Sequence, residues 1–433
     1  MREVYRCFRD TAESHCLNLV ILGGGFAGTR LAADLENKIP KDWNIYLLNR
    51  TNAITLTPLL PGVVSASVLP GHVQVSIRQM VHRTRVRMVT VDSIDLNNQC
   101  IACHNNEPGE LHFDQLVFAM GVDANTGLLP GMKEYALPLK TVGDALRIRN
   151  IAIERLEQAS IHPRAERNRQ LLHSTVIGGG FSGVEVAGEL EDFLKSAARF
   201  YKNVSADDVR ITLVHGSDTL LPELPEKLGK KTQRLFEKRR IDVRLNSRAA
   251  RIDCEQVILT SGESIDTGTI IYNIVTAPTF YKQAEFLPLE RGRIRVDGDM
   301  SVEGLEGIWT LVDCPLVPNA DSGALSPPTA QFADRQARVL AKNIVAQLKG
   351  KPTQSFAYKP ADMLASIGRN NSLAQIFGMC FSGLIAFMLW RGIYLLKVPT
   401  LSRKLRLFLE WNYAMVTPPD LVHLGFKNTG DTD

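Results

Sequence analysis

The chain alternates between short apolar runs and stretches whose apolar residues fall at helical spacing, and the whole pattern occurs twice. From Leu17, LNLVIL reads as a buried strand, GGGFAG as a turn, TRLAADLENKI as an amphipathic helix and NIYLL as a second strand. The same order returns as STVI, GGGFSG, VEVAGELEDFLKSAARF and VRITLV. Two such units predict an α/β protein with two Rossmann-like domains built on parallel sheets. Gly23 and Gly178 lie 155 residues apart, so the second domain is inserted into a discontinuous first one. A Pro/Gly-marked loop after FDQLVFAMG leads through the helix-like VGDALRIRNIAIERLEQ into the insertion, and GIWTLVDC near residue 310 returns to the first domain. The boundaries that follow are an N-terminal extension 1–16, first domain 17–145 and 291–350, inserted domain 146–290 and a C-terminal α-helical segment 351–433.

Each turn carries Gly-x-Gly-x-x-Gly between a strand and a helix, the setting in which this spacing binds a dinucleotide. In the first, Gly23 permits the tight turn, Gly25 lets backbone approach a pyrophosphate and Gly28 lets helix and strand pack closely. Gly178, Gly180 and Gly183 repeat the pattern, with Phe26, Ala27 and Phe181 inside the two turns. Helix N-termini then face the phosphates. Two nucleotides are implied, one donating electrons and one, tightly held, relaying them. The acid expected at the end of each second strand is replaced by Asn49, followed by Arg50, and by His215. Asn49 can still bond a ribose hydroxyl. His215 lacks the carboxylate that repels a 2′-phosphate, which leaves NADPH open beside NADH. Each is otherwise an ordinary polar residue ending a strand.

Composition narrows the partners. A net charge of +4 on 433 residues is too small for a nucleic-acid surface, and 45% hydrophobic content suffices for large cores. Seven scattered cysteines suit a reducing, cytosol-facing compartment. Cys100 and Cys103 lie in a strand-like stretch where i and i+3 project to opposite faces, so neither redox chemistry nor a metal site is expected. Residues 1–16 lack the apolar core of a secretory signal. Near the end, residues 376–390 are apolar until Arg391, short of the roughly 20 residues that span a bilayer. The following SRKLRLFLEWNYAMV sets Leu405, Leu409, Trp411 and Met415 among Arg403, Lys404 and Arg406, the composition of a helix lying in the headgroup plane. A helical hairpin packed on the body, or a dimer contact, is the alternative.

With these features the chain resembles the type II NADH:quinone oxidoreductases, single-subunit flavoproteins of the pyridine nucleotide-disulfide oxidoreductase superfamily, from about residue 17 to 425. Further resemblance lies in Pro58-Leu59-Leu60, Leu139-Lys140 with Asp144-Ala145, Pro327 to Ala333 with Gln336, Ser366-Ile367-Gly368-Arg369, and Trp390 to Tyr394. The resemblance implies FAD in the discontinuous domain, held by the first glycine turn with Asn49, Arg50, Pro58, Leu59, Lys140, Ala330 and Gln331, and by Asp313 at the ribityl chain. It implies NADH, or NADPH, in the inserted domain at the second turn with Glu185 and His215. Hydride would pass to the flavin and two electrons to a membrane quinone, without proton pumping. Gln331 and Gln336 would hydrogen-bond the quinone carbonyls, and Glu185, near nicotinamide and flavin, would handle protons. The tail would hold the protein, as a homodimer, on the cytoplasmic face of an inner or cytoplasmic membrane.

Some positions depart from the family pattern. Val312 replaces the glycine of its Gly-Asp pair, Met120 replaces a threonine in Ala-x-Gly, and Thr276-Ala277-Pro278 replaces the second copy. A β-branched residue enters φ > 0 only at a cost. These departures keep two alternatives in view. One is a degenerate, membrane-docked homologue that binds FAD or nothing and acts in assembly, and the other is a flavin oxidase with a different acceptor. Glu185 is alternatively a first-turn glutamate favoured by the helix dipole, and the two glutamines are alternatively solvated amides at a helix start.

Overall fold

The computed structural model describes residues 16–105, 107–123, 126–161, 165–273, 277–278, 286–290, 292–327, 329–360 and 362–425, so Thr276 and Pro328 lie outside the described residues. Chain contacts group it into two units. One comprises Met1–Ile54, Val75–Asp123 and Thr276–Pro360, the other Thr55–Gln74, Ala124–Val275 and Ala361–Asp433. Residues 55–74 and 124–145, read from sequence as part of the first domain, thus group with the second unit, as does the tail from 361. The helices that frame the sites are α1 (Phe26–Leu35), α2 (Phe181–Ala198), α3 (Ala330–Leu348), α4 (Leu384–Lys397) and α5 (Leu401–Val416).

In the first unit a five-stranded parallel sheet runs Ile308–Thr310, Gln115–Phe118, Leu17–Leu22, Trp43–Asn49, Arg85–Met88. Leu19 to Leu22 are fully buried at its centre, which is why the sequence shows a continuous apolar run here and no alternation. Each such side chain contributes about 1.5–3 kcal/mol of burial. Ile308–Thr310 pairs with Gln115–Phe118, so the discontinuous chain closes the sheet it began, and α1 packs against α3.

The second unit repeats the plan with the order Leu137–Pro138, Thr269–Tyr272, His173–Ile177, Arg210–Val214, Ile241–Arg244, again all parallel. Its helix α2 follows His173–Ile177. The tail is built onto this unit through an antiparallel sheet of Asp362–Ser366, Ser372–Ile376 and Met379–Gly383 that contacts α2 and α4. At Gly188 of α2, a Cβ would meet the Ile367 backbone, so a glycine sets this approach. Arg239 then ties the join, donating to the Gly188 carbonyl at 2.9 Å and to the Ile367 carbonyl while pairing with Glu191 and with Asp192 at 2.9 Å.

The apolar stretch 376–390 is therefore no single helix. Its first part is strand, and the helix begins only at Leu384 after Gly383 at φ +76°. Alternation in a half-exposed strand and an apolar helix start look alike in a continuous hydrophobic run. Among the described residues no helix is long and apolar enough to cross a membrane.

Candidate functional site

The two glycine turns have one geometry. Gly23 has φ +107° and Gly178 φ +116°, and a side chain at Gly28 or Gly183 would collide with the carbonyl oxygen of Gly23 or Gly178 respectively. Gly25 and Gly180 are the N-cap residues of α1 and α2, with extended backbone and no side-chain cap, so the first-turn N–H groups stay open to a ligand. A Cβ at Gly25 would meet nothing within 4 Å, and at Gly180 only Glu223 Oε1 at 4.0 Å. Each cradle fits a pyrophosphate. Phe26 and Phe181 are half-buried at the first helical position, Ala27 is buried behind, and Arg50 is exposed.

The residues that replace the strand-end acids share a second geometry. Asn49 Oδ1 accepts from the Gly24 N–H at 2.9 Å, while its amide donates to Thr51. His215 Nδ1 accepts from the Gly179 N–H at 3.0 Å. Burial holds the His215 imidazole below its ordinary range, against the pull of Glu223, so the neutral ring that this bond needs is the stable one. Both side chains brace the turn from within.

In the first unit, Val312 adopts φ +72°, the left-handed region that its missing glycine would occupy without strain. Its N–H donates to Gln336 Oε1 at 2.7 Å, and Gln336 is 1% exposed. Gln336, expected from sequence to hydrogen-bond a quinone carbonyl through its amide, is thus buried with its oxygen committed to the backbone. Asp313 is half-buried, its Oδ2 3.9 Å from where a Gly121 side chain would start. On α3, Ala330 is exposed and Gln331 half-buried, with Tyr358 Oη donating to Gln331 Oε1 at 3.5 Å.

The second unit contains a cavity of about 830 Å³. One wall is α2, where Glu185, Glu189 and Asp192, spaced by one helical turn each, line it in a row. The opposing walls are Pro58 to His72, including Pro58 and Leu59, and the inner faces of α4 and α5 with Phe387, Trp390, Arg391 and Trp411. Glu185 is 3% exposed and accepts from the Ser366 N–H at 3.0 Å; burial pushes its carboxyl up to about 8. Glu189 bonds the Ser65 hydroxyl, and burial raises it to about 7. Burial also raises Asp192 and the Tyr394 phenol, which faces Glu185, and lowers Arg391 to about 10. Protonated carboxyls in an enclosed, mostly apolar space can donate protons near neutral pH.

Helix α5 closes this cavity through polar clamps. Glu410 accepts from the Leu69 N–H and pairs with the His72 ring, and Arg403 donates to the Gly71 carbonyl. Arg369 donates to Met415 O at 2.7 Å, and Arg391 Nη2 donates to Trp411 O at 2.7 Å while its guanidinium lies over the Phe387 ring. Cations on the last carbonyls suit the negative end of the helix dipole.

Of the residues singled out from sequence, Gly23, Gly25, Gly28, Asn49, Asp313, Ala330, Gln331 and Gln336 belong to the first unit. Gly178, Gly180, Gly183, Glu185 and His215 belong to the second, as do Pro58, Leu59 and Lys140, whose N–H donates to Asp144 Oδ2 at 3.1 Å. Glu189, Asp192 and Ser65 are not among them, and Arg391 figured only as part of the tail motif. For the first two a signal existed, since they stand four and seven residues after Glu185 on a helix. Ser65 and Arg391 reach the cavity only through tertiary packing.

Two parallel-sheet units in one chain, each with its own glycine cradle, define a class, and residues 17–337 match the sequence profile of the pyridine nucleotide-disulphide oxidoreductases. The chain belongs to that family. It is similar to a probable NADH dehydrogenase of Dictyostelium discoideum, 29% identical over 93% of this chain and 90% of the relative. It is also similar to the type II NADH:quinone oxidoreductase Ndh of Mycobacterium tuberculosis, 25% identical over 92% of this chain and 88% of the relative. The fold matches that of NDH2 from Plasmodium falciparum in complex with NADH, with a TM-score of 0.86 and 21% identity over 94% of this chain and 99% of that one.

Proposed function

We propose that this protein is a type II NAD(P)H:quinone oxidoreductase, taking hydride from NADH or NADPH and passing two electrons to a membrane quinone. The observation that carries the reading is the pair of glycine cradles, one in each unit, together with a carboxyl-lined cavity in the second. Relatives bearing the names NADH dehydrogenase and NADH:quinone oxidoreductase over about nine-tenths of the chain support it. FAD, held by the first-unit turn with Asn49 and Asp313, would supply the two-electron carrier. The chain's own residues do the rest. The second turn with His215 binds the nicotinamide nucleotide, Glu185 supplies a proton to the reduced quinone, and Gln336 fixes the backbone that presents Asp313. Gln331 remains the amide nearest in role to a carbonyl partner for the quinone.

The tail supports a peripheral seat on a lipid surface. Leu384, Ile385, Met388 and Leu396 of α4 and Leu401, Leu405 and Phe408 of α5 are more than half exposed, while Arg403, Lys404 and Arg406 stand among them. Apolar residues exposed together beside cations fit the headgroup boundary, and a quinone partitioned in the acyl region would meet the cavity across the same two helices. A homodimer is the other use of this face, and molar mass by light scattering in detergent separates the two.

The experiment is a visible spectrum of the purified protein, followed by anaerobic NADH and then a quinone. Flavin colour, bleaching by NADH and recovery with quinone are expected. A colourless protein would point to the degenerate homologue, for which strained Val312 is the specific support. Bleaching without recovery would point to another acceptor.

A further inference from the structure

Reduction of a quinone to a quinol takes two electrons and two protons. Hydride from NADH brings both electrons and one proton, so each turnover draws one more proton from water through the protein. Glu185 is nearly sealed from solvent, so once it has given a proton it needs a source.

We propose that Glu189 is that source, a second proton-carrying carboxyl of the cavity that reloads Glu185, and that Asp192 is the fixed charge that keeps Glu189 loaded. The inference rests on the quinone reading above. Three observations carry it. The side chains of Glu185, Glu189 and Asp192 share one face of α2 and all three line the same cavity. A step of four residues is a rise of about 6 Å, which one water in the cavity spans. Enclosure also grades along the row, with the Asp192 side chain 29% exposed and Glu185 3%.

Glu185 and Asp192 are held at the two ends by the backbone N–H groups of Ser366 and Arg369 at 3.0 and 2.6 Å, whereas Glu189 accepts from a side-chain hydroxyl, that of Ser65. The charged groups facing Glu189 are Asp192 on its own helix, Arg239 at the C-terminal end of the later helix Glu226–Lys238 and Arg391 on α4. Arg239 is itself paired with Glu191 and Asp192, which leaves the neighbouring carboxylate, with burial, to favour the protonated Glu189. Facing Asp192 are Arg239, Glu191 and the Arg369 N–H, and facing Glu185 are Glu189 and Tyr394. In the step, the Glu185 O–H bond breaks as one forms on the unprotonated oxygen of the two-electron-reduced quinone, completing the quinol. The O–H bond of Glu189 then breaks as one forms on Glu185, and a proton taken up from solvent, relayed through cavity water, reprotonates Glu189. No electrons move.

The test follows the infrared carbonyl stretch of protonated carboxyls in the purified holoenzyme as pH is raised, with no substrate present. Two titrating bands are expected. E185Q and E189Q should each remove one, and D192N, which leaves Glu189 in place, should move the Glu189 band to lower pH. In parallel, reoxidation of the NADH-reduced protein by a short-chain quinone should slow about 10²-fold in E189Q and recover largely in E189D. Retention of both bands in E189Q, or an unchanged reoxidation rate and pH profile, overturns the proposal. A wild-type protein that no quinone reoxidises overturns the quinone reading instead, while the infrared titration still reports on Glu189.

Discussion

Gln336 Oε1 accepts a hydrogen bond of 2.7 Å from the backbone N–H of Val312, the one β-branched residue that the described structure places at positive φ. A left-handed conformation costs an L-residue roughly 1–2 kcal/mol. The buried amide holds the residue there, and Asp313 follows directly in the chain.

That relationship predicts coupling. Q336A should destabilise by about 1–3 kcal/mol, since it leaves a half-buried N–H unsatisfied. V312G should relieve strain yet lose some apolar packing, for a net change within about 1 kcal/mol. In urea unfolding, the double variant should cost less than the sum of the singles. Strict additivity would mean that the bond does not hold the turn.

His215 offers a test of nucleotide choice. H215E keeps an acceptor for the Gly179 N–H and restores a carboxylate that repels a 2′-phosphate. Discrimination for NADH over NADPH, measured as the ratio of kcat/KM, should rise about tenfold, equivalent to about 1.4 kcal/mol. An unchanged ratio would place the ribose elsewhere.

Stability should depend on pH through the buried acids. Glu185 and Glu189 are raised to about 8 and 7, so between their ordinary value near 4.5 and those values the folded state binds protons that the unfolded state has lost. Stability should therefore fall as pH rises through this window, by up to about 1.4 kcal/mol per pH unit for each proton retained. E185Q and E189Q should each flatten the decline of Tm from pH 5 to 8. A variant with the wild-type slope would show that its carboxyl is ionised throughout.

Exposed leucines on α5 predict membrane behaviour. Leu401 and Leu405 do not line the cavity, so L401E with L405E should abolish co-sedimentation with anionic liposomes and slow reduction of a long-chain quinone in vesicles. Reduction of a water-soluble quinone should change less than about twofold. Equal loss with both quinones would place these residues in folding of the tail.

The two nucleotide cradles are legible along the chain because their chemistry is local: a strand, a turn that only glycine fits and a helix N-terminus all fall within about a dozen residues. Glu185 was placed by sequence in the first turns of the second helix, its proton role being what the family resemblance implied, and Val312 was marked as a costly residue for positive φ. Burial and pairing at a distance were decided by the tertiary structure alone. Gln336 meets Val312 across 24 residues, Ser366 meets Glu185 across 181, and Glu410 meets His72 across 338. The apolar run at 376–390 divides into strand and helix because Ser372–Ile376 and Met379–Gly383 find each other as partners, a choice that hydrophobicity along one segment does not encode. What raises the carboxyls of Glu185 and Glu189 is likewise enclosure by α4, α5 and residues 58–72, and desolvation is a property of the assembled cavity rather than of any residue type.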